Sequence, residues 1–144
     1  MSADKIIIRD ADWLQDNSDL KYIRREVFIV EQQVPEAMEW DEQDLSALHC
    51  LAIVNNKAVA TARLQRNGQL GRMAVLKEYR HRGIGGMLLT HLINKYPLPI
   101  STPLFLHAQK HAVDFYKKYH FIRDENEFME AGIPHYLMTM RNDK

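Results

Sequence analysis

Apolar positions recur along this chain in two rhythms. Lys5 to Arg9, with Ile6, Ile7 and Ile8 at its centre, reads as a short buried strand. Asp10 to Asp12 offer caps for a helix. Leu20, Ile23, Val27 and Val30 then recur at three- and four-residue spacing and line up one apolar face. Pro35 ends that pattern. Residues 35 to 46 read as an acidic loop or short helix holding Glu36, Glu39, Asp41, Glu42 and Asp44, with Trp40 among them. A charged stretch of this kind reads first as a solvated face; the sharper reading is a lip that attracts cationic molecules.

The rhythm then shortens. Strands are expected at 47–54 and 58–65, joined by a hairpin turn at Asn55-Asn56-Lys57. A turn at Asn67-Gly68 leads to a third strand at 69–76. Met87, Leu88, Leu89, Leu92, Ile93 and Tyr96 return to helical spacing, and Pro97 stops that helix. Pro103 to Leu106 reads as a buried strand, and Ala112, Phe115, Tyr116 and Tyr119 mark a short helix. Two last strands, at 120–126 and 135–141, flank a turn at Gly132-Ile133-Pro134. The order is strand, helix, three strands, helix, strand, helix, two strands. It predicts an α/β chain with a mixed sheet and helices on both faces. With modest loops throughout, residues 1–144 are expected to form a single domain.

Composition narrows the chemistry. Nineteen basic residues balance nineteen acidic ones, which argues against a dedicated nucleic-acid binder. The single cysteine, Cys50, lies in an apolar run and reads as a buried core thiol. No disulfide is expected, no apolar run approaches a membrane span, and no leader is evident, so a cytoplasmic protein without membrane partners is expected.

The most informative segment runs from Met73 to Leu88. A strand ends, a basic loop follows with Arg80, His81, Arg82, Gly83, Ile84, Gly85 and Gly86, and a helix starts directly. Free N–H groups at a helix start, the helix dipole and nearby cations together suit a diphosphate. A dinucleotide fingerprint needs a third glycine where Leu88 stands, and the Gly-Lys-Ser/Thr of a Walker loop is absent. An acyl-CoA loop, Arg/Gln-x-x-Gly-x-Gly/Ala, fits Arg80, Gly83 and Gly85. A flexible basic turn is the plain alternative. One strand later, Ala112, Phe115, Tyr116 and Phe121 complete a second pattern, Ala-x-x-aromatic-Tyr followed by Phe. Gln109 precedes it, and His120 stands where glycine is usual.

On these two motifs, in this order, the sequence resembles the GNAT superfamily of N-acetyltransferases. The runs Glu26 to Pro35 and Gly132 to His135 look like its ElaA-like branch. The resemblance implies the GNAT acyl-CoA N-acyltransferase fold, with a central mixed sheet splayed at the acetyl-CoA site. It implies an enzyme that uses acetyl-CoA as co-substrate and acetylates a primary amine of a small molecule or peptide by direct attack in a ternary complex. By resemblance the backbones of Met73 and Val75 hold the pantetheine arm, residues 80 to 86 take the pyrophosphate, Gln109 contacts the cofactor, and Tyr116 is the general acid. The usual base positions on the central strand hold Gln69 and Gly71, which cannot accept a proton. That leaves Glu31, His49, His107, Glu130, His135 or a water, with His107 favoured because it lies near the end of the splayed strand. Glu31 and His135 belong to segments expected to form the acceptor pocket. His107 and His111 lack a third ligand, so no metal is expected. A non-catalytic acyl-CoA-binding regulatory protein is the rival reading, and a homodimer is left open.

Overall fold

The computed structural model describes residues 5–96 and 103–140, so the helix stop read at Pro97 lies outside the described residues. Seven strands form one sheet: β1 (Ile6–Ala11), β2 (Leu48–Val54), β3 (Lys57–Leu64), β4 (Gln69–Val75), β5 (Phe105–Gln109), β6 (Phe121–Glu130) and β7 (Ile133–Met140). Their order is β1-β2-β3-β4-β5-β7-β6. Every neighbouring pair is antiparallel except β4 and β5, which run parallel. The helix α1 (Asn17–Arg24) continues as a π-helical segment, Arg25–Glu31. Short helices α2 (Glu36–Glu39) and α3 (Gln43–Ser46) follow, then α4 (Ile84–Lys95) and α5 (Val113–Lys117), with single 3-10 turns at Lys77–Tyr79 and Lys110–Ala112.

Residues Val59 to Leu64 of β3 are buried without a break, which requires cover on both faces of the sheet. Leu20 and Ile23 of α1 and Ile84, Leu88, Leu89 and Leu92 of α4 join that strand in one core. Cys50 belongs to this core. Burial pushes its thiol up to about 12, so it is an inert apolar residue.

Three expectations need correction. Val30 was grouped with Leu20, Ile23 and Val27 on one apolar face, but it is 59% exposed. The helix widens after Arg24 to i→i+5 bonding, with Gln32 N–H donating to Val27 O at 3.1 Å, so each later side chain turns less far round the axis. Val30 thereby leaves the core face. Second, the last hairpin turns at Ala131-Gly132, with φ of +53° and +76°, and not at Gly132-Ile133-Pro134. Glu130 pairs with Ile133 across this two-residue, left-handed turn. Pro134 therefore sits inside β7.

The third correction concerns the acidic segment, which is not a uniformly solvated face. Glu39 and Asp44 are 3% and 1% exposed. Arg24 donates to Glu39 Oε2 at 2.7 Å and to Asp44 Oδ1 at 2.7 Å. Arg63 reaches Asp44 and Asp41 from β3, and Arg72 lies 3.2 Å from both Glu39 and Asp41. Trp13 and Trp40 cover the Arg24 guanidinium, 5.4 and 5.2 Å from its centre. A charge costs several kcal/mol to bury alone, so these arginines explain why the carboxylates can be inside.

Candidate active site

A parallel pair of strands holds together through slanted hydrogen bonds along its length. Here β4 and β5 pair only at Gln69–Phe105 and Leu70–Leu106, then diverge. A bulge accompanies the divergence. Arg72 has φ +49°, and the β3–β4 register shifts by one residue between the Thr61–Ala74 and Arg63–Gly71 pairs. Leu76 N–H donates to Val59 O on β3 at 2.9 Å, so strand alternation turns the N–H and C=O of Val75 the other way, toward the gap. The gap opens into a cleft of about 1050 Å³. Met73, Val75, Arg80, His81, Gly85, Gln109 and Tyr116 line it, together with Glu31, His107 and His135.

The loop after β4 carries its glycines for two different reasons. Gly83 has φ +81° and is the residue before α4, a backbone state that suits glycine. Gly86 is needed for packing, because a Cβ there would fall on the Tyr119 hydroxyl and 2.9 Å from its Cζ. The N–H groups opening α4 have no intrahelical partner by construction. Ile84 sends its side chain into the core, so only its backbone faces the loop. Arg82 packs on the Tyr79 ring at 5.1 Å and donates to Glu78 O at 3.2 Å. Gly83 and Gly86 line a separate shallow depression with Met87 and Tyr119, outside the main cleft.

Tyr116 reaches across the gap from α5. Its hydroxyl lies 4.0 Å from Met73 Sδ on β4, and its ring meets Phe115 edge-on at 5.0 Å. Burial pushes the hydroxyl up to about 12, so it stays protonated through neutral pH. The turn after α5 closes with His120 at φ +74°, the left-handed state for which glycine is the usual choice.

Across the cleft mouth, Arg80 holds Glu31 fork to fork and donates from Nε–H to Val75 O at 2.8 Å. The hydrogen bond from the Arg80 guanidinium to Glu31 keeps the Glu31 carboxyl below its ordinary value. Gln109 Nε2 donates to Gln32 Oε1 at 2.9 Å and ties the end of β5 to the residue after the π-helical segment. His107 Nδ1 and Glu130 Oε1 are 2.9 Å apart. His135 Nδ1 donates to Ile133 O at 2.7 Å. His49 does not line the cleft; it is buried against Trp13 with Nε2 bonded to Asp44 O. Among the described residues, no group of three or more His, Cys, Asp or Glu is arranged to hold a metal ion.

Two cleft residues, Arg63 and Arg72, lie outside every segment singled out from the sequence as functional, whereas Phe28 and Gln32 flank Glu31 in the segment expected to form the acceptor pocket. One signal was available for Arg63. It is a lone charge inside an apolar strand, and such a residue needs a buried partner.

The comparisons agree with this geometry. The family model described as acetyltransferase (GNAT) domain matches residues 13–142. The chain is 37% identical over 124 residues to the uncharacterized N-acetyltransferase YjcF of Bacillus subtilis, covering 83% of this chain and 89% of that protein. It is 30% identical over 132 residues to ElaA of Escherichia coli, covering 83% and 84%. The crystal structure of Escherichia coli ElaA superposes with a TM-score of 0.84 at 27% identity, covering 95% of this chain and all of that one. An acyl-CoA N-acyltransferase from Pseudomonas aeruginosa superposes with a TM-score of 0.83, also at 27% identity, covering 95% of this chain and 100% of that one.

Proposed function

This chain belongs to the GNAT acetyltransferase family and is an acetyl-CoA-dependent N-acetyltransferase; from that premise we propose that it acetylates a primary amine of a small molecule or peptide by direct attack in a ternary complex. One domain, residues 1–144, carries the whole reaction. The backbones of Met73 and Val75 hold the pantetheine arm along β4. Arg80, His81 and Arg82, with the backbone of Gly83 to Gly86, hold the pyrophosphate, and Gln109 flanks the arm from β5. Glu31 and His135 border the acceptor.

The observation that carries this reading is the gap itself. It turns the Val75 N–H toward a space that the Tyr116 hydroxyl also borders. The amine nitrogen attacks the thioester carbonyl carbon, and the Val75 N–H donates to the oxygen as it gains charge. The C–S bond breaks, and the Tyr116 hydroxyl gives its proton to the departing sulfur. The nitrogen loses a proton to His107 Nε2. Tyr116 then recovers a proton from solvent, and His107 releases one.

An acetylation screen of monoamines, polyamines, amino sugars and peptides with acetyl-CoA, read by mass spectrometry, tests the proposal. The expected result is a mass gain of about 42 Da on one amine class with an equal release of free CoA. Binding of acetyl-CoA without acetylation of any amine would favour a regulatory acyl-CoA binder.

A further inference from the structure

Glu130 stands at the tip of the last hairpin, where the Ala131-Gly132 turn brings it, with Ile133, to the wall of the cleft. Its carboxylate faces two imidazoles, and the geometry separates their roles. His135 Nδ1 is committed to the Ile133 carbonyl at 2.7 Å, and its Nε2 lies 3.9 Å from Glu130 Oε2, beyond hydrogen-bond reach. His107 Nδ1 lies 2.9 Å from Glu130 Oε1. The Phe128 ring packs against both, edge-on to His107 at 5.2 Å and stacked on His135 at 5.8 Å. Neither imidazole lies on the element that carries the carboxylate: His107 is on β5 and His135 on β7.

We infer that Glu130 is a positioning residue for His107: it holds the proton of the neutral imidazole on Nδ1 and leaves the Nε2 lone pair bare in the cleft. This rests on the reading of His107 as the base. An ionised carboxylate only accepts hydrogen bonds, so the ring nitrogen beside it must be the N–H. In neutral imidazole the other nitrogen then carries the lone pair. A bare Nε2 can take a proton from the attacking amine, whereas Nε2–H cannot. Glu130 touches neither the amine nor the thioester in this scheme; it acts through the ring. The groups that face this pair are His135 from β7 and, at longer range, Arg72 from β4.

The test is the ring nitrogen spectrum of His107 in uniformly 15N-labelled protein, assigned by its loss in His107→Gln and recorded where the ring is neutral. Wild type is expected to show a protonated Nδ1 and a bare Nε2. Glu130→Ala, with its fold checked by thermal melting, is expected to shift His107 toward the Nε2–H form; Glu130→Asp keeps the acceptor and retains part of the wild-type pattern. Nε2–H in wild type, or one tautomer in wild type and Glu130→Ala alike, overturns the proposal. Kinetics with an amine from the screen give the second arm. Glu130→Ala should lose about tenfold to a hundredfold in kcat with the KM for acetyl-CoA unchanged, and His107→Gln/Glu130→Ala should lose no more than His107→Gln alone. Additive losses would mean that Glu130 acts independently of His107. Wild-type turnover in His107→Gln would instead remove the base reading, a failure distinct from either tautomer result.

Discussion

Arg80 and Glu31, 49 residues apart in sequence, meet fork to fork at 2.7 and 2.6 Å. By resemblance Arg80 belongs to the pyrophosphate end of the reaction and Glu31 to the acceptor end. The pair joins those ends. Two guanidinium N–H groups are taken by Glu31 and the Nε–H by Val75 O, which leaves two of the five donors for a phosphate. It also narrows the search for a base, because Arg80 occupies both Glu31 oxygens and lowers their affinity for a proton.

Glu31→Gln removes a negative charge from beside the loop proposed to take the pyrophosphate. Acetyl-CoA should bind about two- to fivefold tighter, in line with loss of one partly screened repulsion. Arg80→Ala should bind it about tenfold or more weakly. Calorimetry on the two variants checks this, and equal affinities in wild type and both variants would show that neither side chain senses the phosphates.

The glycines of the loop should separate by mechanism. Gly86→Ala forces the Tyr119 ring aside and should cost about 1–3 kcal/mol of stability. Gly83→Ala meets no atom within 4 Å, and its cost is backbone strain at φ +81°, about 1 kcal/mol. A Cβ at Gly85 makes only ordinary contacts with Met73 Sδ at 3.4 Å and Phe115 at 3.5 Å. Gly85→Val should therefore fold yet bind acetyl-CoA poorly, since the new methyls enter the cleft beside the proposed pyrophosphate site. Thermal melts with and without acetyl-CoA distinguish the three.

Acid should weaken the fold in two stages. Burial keeps the His49 imidazole below its ordinary value, so the unfolded chain takes up a proton first and stability begins to fall below about pH 6.5. At Asp44, burial pushes the carboxyl up, but Arg24 and Arg63 outweigh it and the net value lies below the ordinary one. Its contribution is complete above about pH 4 and is lost as pH falls through the folded value. Glu39 has the opposite sign: burial outweighs Arg24 and Arg72, its carboxyl lies above the ordinary range, and protonating it in acid favours the folded state. Asp44→Asn should cost about 3–5 kcal/mol at pH 7 by leaving Arg24 and Arg63 short of a partner. Its stability should then fall less steeply than wild type below pH 4. Denaturant melts from pH 8 to 3 measure both, and parallel curves would contradict the role given to Asp44.

What the sequence showed and what it hid follow from the range of the interactions. Asn55-Asn56 and Asn67-Gly68 are turns set by their own backbone preferences, and both hairpins formed there. The loop at Gly83 and the Tyr116 helix were legible because each packs several constraints into a few residues. The buried arginine cluster was not, since Arg24, Arg63 and Arg72 find Glu39 and Asp44 across 15 to 33 positions of sequence, and charge pairs leave no periodic trace. Val30 misled because apolar spacing does not announce a change from α to π winding. Glu130 appeared only as one carboxylate among several base candidates; its partner, His107, lies 23 residues away and reaches it only through the fold.

In the proposed reaction the cleft between β4 and β5 transfers the acetyl group with Tyr116 as proton donor to sulfur. Because burial pushes the hydroxyl up to about 12, Tyr116 should impose no loss of activity on the alkaline side up to about pH 10. The direct measurement is Tyr116→Phe against wild type: acetyl-CoA affinity by calorimetry, and turnover by mass detection with the amine from the screen. The expected result is affinity within about twofold and turnover lower by about tenfold to a thousandfold, the range of a lost general acid. Wild-type turnover at wild-type affinity would contradict it and leave Tyr116 as a packing residue.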